Sequence, residues 1–218
     1  MRLALRKIKL PHYPWLKTNL SIELEAAFSK VGLQLKRRTE PVTFEKPEAK
    51  RFIVVASIIT RRIGPELLEF EVRAGIRCPE LVAVLDSETK RSFKKLLNTV
   101  TCWGTNLGYL LAEPTYLEWR VANLEEILAC SAEAVNLFAT YGVPKCEAIA
   151  DLDQLAQTIL QPESAVGLVQ HRFKPYLLAL AGYKAEAVDW IRCHYLTEKA
   201  WDEDKKLGEH LLSQSMFI

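Results

Sequence analysis

Four histidines, five cysteines and one run of three carboxylates are the residues of this chain whose types suit catalysis or metal binding. His12, His171, His194 and His210 share no spacing that would bring two imidazoles onto one metal ion. Cys193 and His194 are neighbours, a pairing that suggests a thiol activated by an imidazole. On a helix, however, adjacent side chains diverge and cannot form the hydrogen bond such activation needs. Asp202, Glu203 and Asp204 resemble a metal-binding trio, yet they follow Trp201 where a helix is expected to begin. Negative charge there favours the positive end of the helix dipole, so capping is the default reading. The cysteines, Cys78, Cys102, Cys130, Cys146 and Cys193, form no Cys-x-x-Cys pair and are odd in number, which fits reduced thiols rather than a zinc ribbon or a disulfide scaffold. No nucleophile elbow, zinc-protease helix, phosphate-binding loop or dinucleotide fingerprint occurs. No cofactor and no catalytic residue is therefore expected, although a site assembled only in three dimensions escapes a motif search.

Binding residues are better represented. Residues 1–62 hold 14 Lys and Arg against 5 Asp and Glu, whereas residues 63–218 hold 15 against 22, within a net charge of +2. A basic third beside an acidic remainder suits a phosphate-binding face, a docking face for a protein partner, or two solvated surfaces that complement each other. The basic residues come singly or in small groups, with Arg37, Arg38, Arg61 and Arg62 as the candidate contacts and Lys36, Lys50 and Arg51 beside them. Among the aromatic residues, Trp119 and Trp190 fall on apolar stripes and are expected in the core. Trp103, in a Cys-Trp-Gly turn, is the candidate exposed anchor.

These residues need a scaffold, and the hydrophobic periodicity supplies one. Leu16, Leu20, Leu24, Ala27, Phe28 and Val31 recur at helical spacing before Gly32, which predicts a helix over roughly 18–31 with a left-handed cap. The period then shortens. Leu33 and Leu35, Val42 and Phe44, and the β-branched run from Phe52 to Thr60 read as strands. Leu68, Phe70, Val72, Ala74 and Ile76 alternate with Glu69, Glu71, Arg73 and Arg77, the pattern of a strand with one face in water. Residues 87–97 read as a short helix or ordered loop, and the stretches Leu107–Leu111 and Leu117–Val121 supply one or two further strands. From Asn123, which with Glu126 matches a capping box, the pattern is helical to the end. That helix is expected to stop at Gly142 and Pro144. Asp151 caps the next one, and Leu168–Ala181, Ala185–Ala200 and Trp201–Ser213 follow. The Leu-Ala-Leu-Ala-Gly segment ending at Gly182 predicts a tight helical hairpin without a repeat partner.

The class is α+β: an antiparallel β-meander of four to six strands drawn from residues 33–121, packed by an N-terminal helix and a C-terminal helical region. Residues 1–145, including a helix at about 123–141, are expected to form the sheet domain, with 146–218 as a helical extension packed on it. No apolar run reaches the roughly 20 residues of a membrane helix, and the N-terminus lacks the pattern of a secretory signal. A cytoplasmic protein is expected.

The segments Lys30–Leu33, Phe70–Cys78, Asn106–Leu111, Leu117–Val121 and Leu124 through Tyr141 to Pro144 together resemble a bacterial family of unknown function. Some members of that family stand near polymorphic-toxin genes. The resemblance spans roughly residues 17–195 and rests on packing motifs. It implies an immunity protein that binds and blocks one cognate toxin domain, and it brings no established active site. Arg37, Arg38, Arg61, Arg62, Trp103, Asp202, Glu203 and Asp204 are then the candidate partner contacts. A nucleic-acid module using the basic third is the alternative, followed by an enzyme whose site the sequence does not display.

Overall fold

The computed structural model of the protein describes residues 13–47, 51–81, 101–162, 166–200 and 202–217. Seven antiparallel strands and seven α-helices are found among them, an α+β architecture. Helix α1 spans Tyr13–Lys30 and buries Leu16, Leu20, Leu24 and Phe28, one per turn. It begins earlier than its apolar stripe predicts, since Tyr13 N–H donates to Pro65 O at 3.2 Å and anchors the first turn. Gly32 ends it with φ of +81°, the conformation only glycine adopts without strain, and Leu33 N–H closes back onto Phe28 O at 3.0 Å.

The meander runs through β1 (Gln34–Arg37), β2 (Val42–Glu45), β3 (Ile53–Arg62) and β4 (Leu68–Arg77). Strands β5 (Trp103–Asn106) and β6 (Trp119–Val121) both pair with the far edge of β4, β5 along residues 73–76 and β6 along 68–70. A two-residue strand, β7 (Leu168–Val169), closes the order by pairing with β5. Leu107–Leu110, read from sequence as strand, is instead a turn of 3₁₀-helix, because Asn106 caps it by accepting from Gly108 N–H. The expected element at 87–97 lies outside the described residues.

One face of the sheet is covered by α1 and by α2 (Leu124–Leu137). Phe28 stacks on Phe44 with centroids 4.6 Å apart and meets Phe138 edge-on at 5.6 Å, while Phe70 stacks on Trp119 at 5.2 Å. Asn123 caps α2 by accepting from Glu126 N–H at 2.9 Å, and Glu126 reciprocates toward Ala122 N–H at 2.6 Å. Gly142 and Pro144 do not stop this helix. A π-helical turn, Phe138–Gly142, leads directly into α3 (Val143–Ile149), where Pro144 occupies the first turn and its missing N–H costs no hydrogen bond.

Asp151 caps α4 (Leu152–Leu160) through Asp153 and Gln154 N–H. Helices α5 (Lys174–Leu180) and α6 (Lys184–His194) form the expected hairpin around Gly182, whose φ is +89°. Helix α7 covers Asp202–Leu212. A single cluster of buried apolar side chains extends from Leu16 in α1 to Leu211 in α7.

The second face of the sheet departs from expectation. Glu69, Glu71 and Arg77, which alternation placed in water, are buried. Arg77 donates to Glu45 through Nε at 3.1 Å and Nη2 at 2.7 Å, a bidentate pair spanning β3. Alternation locates the apolar face correctly but carries no information on what covers the polar one.

Candidate interaction site

On this second face Gly75 of β4 and Gly104 of β5 stand directly opposite each other. Neither contributes a side chain, and the Thr101 side chain occupies the room they leave, its Cγ2 2.7 Å from where a Cβ on Gly75 would stand. Two hollows with shared lining residues lie beside it. One, of about 520 Å³, runs between Arg73, Asn106, Tyr109, Tyr116 and Leu168. The other, of about 440 Å³, runs between Arg73, Thr101, Gln170, His171 and Lys174. Arg73, Gly104 and Leu168 line both. Leu168 is 74% exposed, and Val166, Tyr109 and Tyr116 expose large apolar surface beside it.

The wall carrying the tyrosines is held rigidly. Residues 107–118 leave the edge of β4 after β5 and rejoin it at β6, and Asn106 ties the two ends together. Its Oδ1 accepts from Gly108 and Leu117 N–H, each at 2.9 Å, and its Nδ2 donates to Leu117 O at 2.9 Å. The ends approach so closely that a Cβ on Gly108 would lie 2.2 Å from Thr115 O. Glycine is required there for space.

Beneath this wall lies a charge network. Arg73 donates to Glu71 Oε1 from Nε at 2.8 Å and Nη2 at 2.7 Å. Glu71 Oε2 accepts from the Tyr116 hydroxyl and from Asn106 Nδ2 at 3.4 Å. Glu69 meets Arg61 at 3.5 Å and Arg120 at 3.2 Å, and Arg120 also pairs with Glu118 at 2.8 Å. Arg61 reaches the Tyr116 oxygen at 3.3 Å. Burial pushes the Tyr116 phenol up, and the hydrogen bond to Glu71 adds to the rise. The hydrogen bond to Glu69, then that to Glu118, holds the Arg120 guanidinium up. Every carboxylate oxygen of Glu69 and Glu71 has a donor, and the arginines offset the acids one for one. Such a network fixes conformation and positions Tyr116.

The residues singled out from sequence are dispersed. Arg37 Nε donates to Thr39 Oγ1 at 2.7 Å. Arg38 pairs with Glu25 of α1 at 3.1 Å. Arg61 belongs to the network just described. Arg62 donates to Gly64 O at 3.3 Å and lies over the Tyr13 ring, 5.7 Å from its centroid. Asp202 is exposed at the start of α7, the position that suits its charge. The backbones of Glu203 and Asp204 lie in the first turn of the same helix; their side chains lie outside what is described.

Trp103 is not an exposed anchor. It is fully buried on the apolar side of β5, opposite Ile76, with Gly167 packed against its indole so closely that a Cβ there would lie 2.5 Å from the ring. Gly104, which suggested a turn, is a strand residue opposite Gly75, with the Thr101 side chain over the pair. The exposed aromatic role falls to Tyr109 and Tyr116, which sequence reasoning passed over. The available signals were glycines inside two strand patterns, Gly75 and Gly104, and an Asn preceding Leu-Gly.

His171 and His194 do come together, their ring centroids 5.6 Å apart beside Trp190. His194 stacks on Trp190 at 4.2 Å, and His171 meets the same ring edge-on at 4.4 Å. The cluster packs α6 against the His171–Phe173 turn, and His194 Nδ1 lies 2.9 Å from Trp190 O. No group of three or more metal-ligating side chains suits an ion among the described residues. Cys193 is exposed, while Cys102 and Cys146 are buried and their thiols are pushed up to about 12 by that burial. Among the described residues no helix is long and apolar enough to cross a membrane.

No family model matches the chain, and neither a curated protein nor a solved structure matches it.

Proposed function

We propose that this chain is a non-enzymatic protein-binding module of immunity type, which uses the groove between residues 107–118 and β7 to hold and block one cognate bacterial toxin domain in the cytoplasm. One observation carries the reading: a short loop, locked at both ends by Asn106, holds two exposed tyrosines beside the exposed Leu168. Rigid aromatic residues around an apolar centre, with an arginine at hand, match the composition and low ordering cost of binding hot spots. The charge pattern supports a protein partner over a phosphate backbone. Arg38 and Arg61 are each answered by a carboxylate of their own chain, and Lys46 and Arg51 reach Glu147 and Glu80 in the acidic remainder at 2.8 and 2.9 Å. The five free thiols suit a reducing compartment.

The test is a rescue assay in a bacterial host. The chain is co-expressed with the polypeptide encoded beside it, and growth is scored. Rescue by the parent, and its loss with Tyr109→Ala and Leu168→Asp together, is the expected result. The quadruple replacement of Arg37, Arg38, Arg61 and Arg62 by Ala should slow association without abolishing rescue, because rim charges steer encounter more than they hold a complex. Absence of rescue, combined with salt-sensitive micromolar binding to random duplex DNA at about 150 mM salt, would replace this reading by a nucleic-acid module.

A further inference from the structure

The groove has a charge as well as a shape. Of the residues that line its two hollows, Arg73, His171 and Lys174 are basic or titratable toward positive charge, and none is a carboxylate. Arg73 commits Nε and Nη2 to Glu71, on a side chain that is still 48% exposed. Lys174 has no ion-pair partner among the described residues. Between these cations the Thr101 side chain lies over the Gly75–Gly104 pair, its Cγ2 2.7 Å from where a Cβ on Gly75 would stand. Thr101 and Gln170 offer polar groups along the groove. On the outer side stand Tyr109 and Leu168, both exposed and apolar.

We propose that the groove receives an extended acidic segment of the partner protein, its main chain along Thr101 and Gln170, its carboxylates on Arg73 and Lys174, and its apolar side chains against Tyr109 and Leu168. The inference rests on reading the groove as a protein-binding site and adds the chemistry of what enters it. Alternation of charged and apolar side chains suits a segment in extended conformation, because successive residues then face opposite sides of the groove. A single-stranded nucleic acid would also find tyrosines and cations here. The aliphatic rim at Val166 and Leu168 favours the peptide.

Fluorescence anisotropy with the full chain decides the matter. Three labelled ten-residue probes alternate Leu or Tyr with Asp, with Ser or with Lys, and a ten-nucleotide oligothymidylate serves as the fourth. The Asp probe should bind at least about tenfold more tightly than the Ser probe at about 50 mM salt. It should weaken several-fold at about 300 mM, where screening is shorter ranged. Lys174→Glu and Leu168→Asp should each weaken it about tenfold, with melting temperatures unchanged because both side chains lie at the groove rim. Equal binding of the Ser probe, tighter binding of the Lys probe or of the oligonucleotide, or no binding of the Asp probe up to about 1 mM would overturn the proposal. Rescue of growth without Asp-probe binding refutes the acidic segment and leaves protein binding standing. Asp-probe binding without rescue does the reverse.

Discussion

Replacing Asn106 with Ala tests whether the tyrosine-bearing loop is held as described. Three of its hydrogen bonds, to Gly108 N–H, Leu117 N–H and Leu117 O, are 2.9 Å long, and a fourth to Glu71 is 3.4 Å. Each contributes about 1 kcal/mol net, and the N–H of buried Gly108 loses its only capping acceptor, so the expected loss is about 2–4 kcal/mol. That is a large share of a typical stability of about 5–15 kcal/mol. Urea denaturation gives the total. Amide hydrogen exchange shows where the loss falls, and the Gly108 and Leu117 amides should exchange at least about 30-fold faster while those of β3 follow the global change alone. Asn106→Asp keeps the two acceptor bonds but sets a carboxylate beside Glu71, so it should retain protection at Gly108 while still destabilising. A loss under about 0.5 kcal/mol with both amides as protected as before would refute the account of the loop, since hydrogen bonds of this number and geometry are worth more than that.

Phe70→Ala removes a fully buried ring stacked on Trp119 and should cost about 3–5 kcal/mol by chemical denaturation. A melting temperature within a degree or two of the parent would show the inward assignment of β4's even-numbered residues to be wrong. Arg77→Ala strands the Glu45 carboxylate in the interior and should cost about 3–5 kcal/mol, whereas Arg77→Met with Glu45→Leu should recover most of it. The raised thiols of Cys102 and Cys146 set an alkaline limit. Both are neutral in folded and unfolded chains below pH 9; between pH 9 and about 12 the unfolded chain alone loses these protons, so stability falls as pH rises through that window. Cys102→Ala should flatten the decline in a pH series of denaturation curves. At neutral pH an alkylating reagent should modify exposed Cys193 before the buried pair, at an ordinary thiol rate; labelling within seconds would reopen the enzymatic reading.

Local signals proved legible wherever the residues that answer one another are close in sequence. Asn123 with Glu126, Asp151 with Gln154, Gly32 and Gly182 each announce a cap or turn whose partners lie within a few residues, and the structure has each in place. The apolar side of β4 was readable for the same reason. Its polar side was not, because Glu71 is answered by Tyr116 and Asn106, and Arg77 by Glu45, partners 32–45 residues away that no periodicity reports. Trp103 was misread because its neighbour Gly104 looked like a turn; the glycine is a strand residue that gives room to the Thr101 side chain, and the tryptophan faces the core. The arginines proposed as contacts were chosen for charge alone, and charge in sequence does not reveal that Glu25, Glu69 and Glu71 stand ready to neutralise it.

The loop between β5 and β6 leaves and re-enters along a single strand edge, and its ends are joined by Asn106 whatever lies between them. The exposed residues from Ala112 to Pro114 can therefore lengthen, shorten or change identity without altering any strand register or the aromatic core beneath. Variation in recognition and preservation of the scaffold are thus assigned to separate stretches of chain. In a lineage under pressure to follow a changing adversary, substitutions would accumulate at the loop crown while Gly75, Gly104, Asn106 and Gly108 stay constant, and a new specificity would need no new fold.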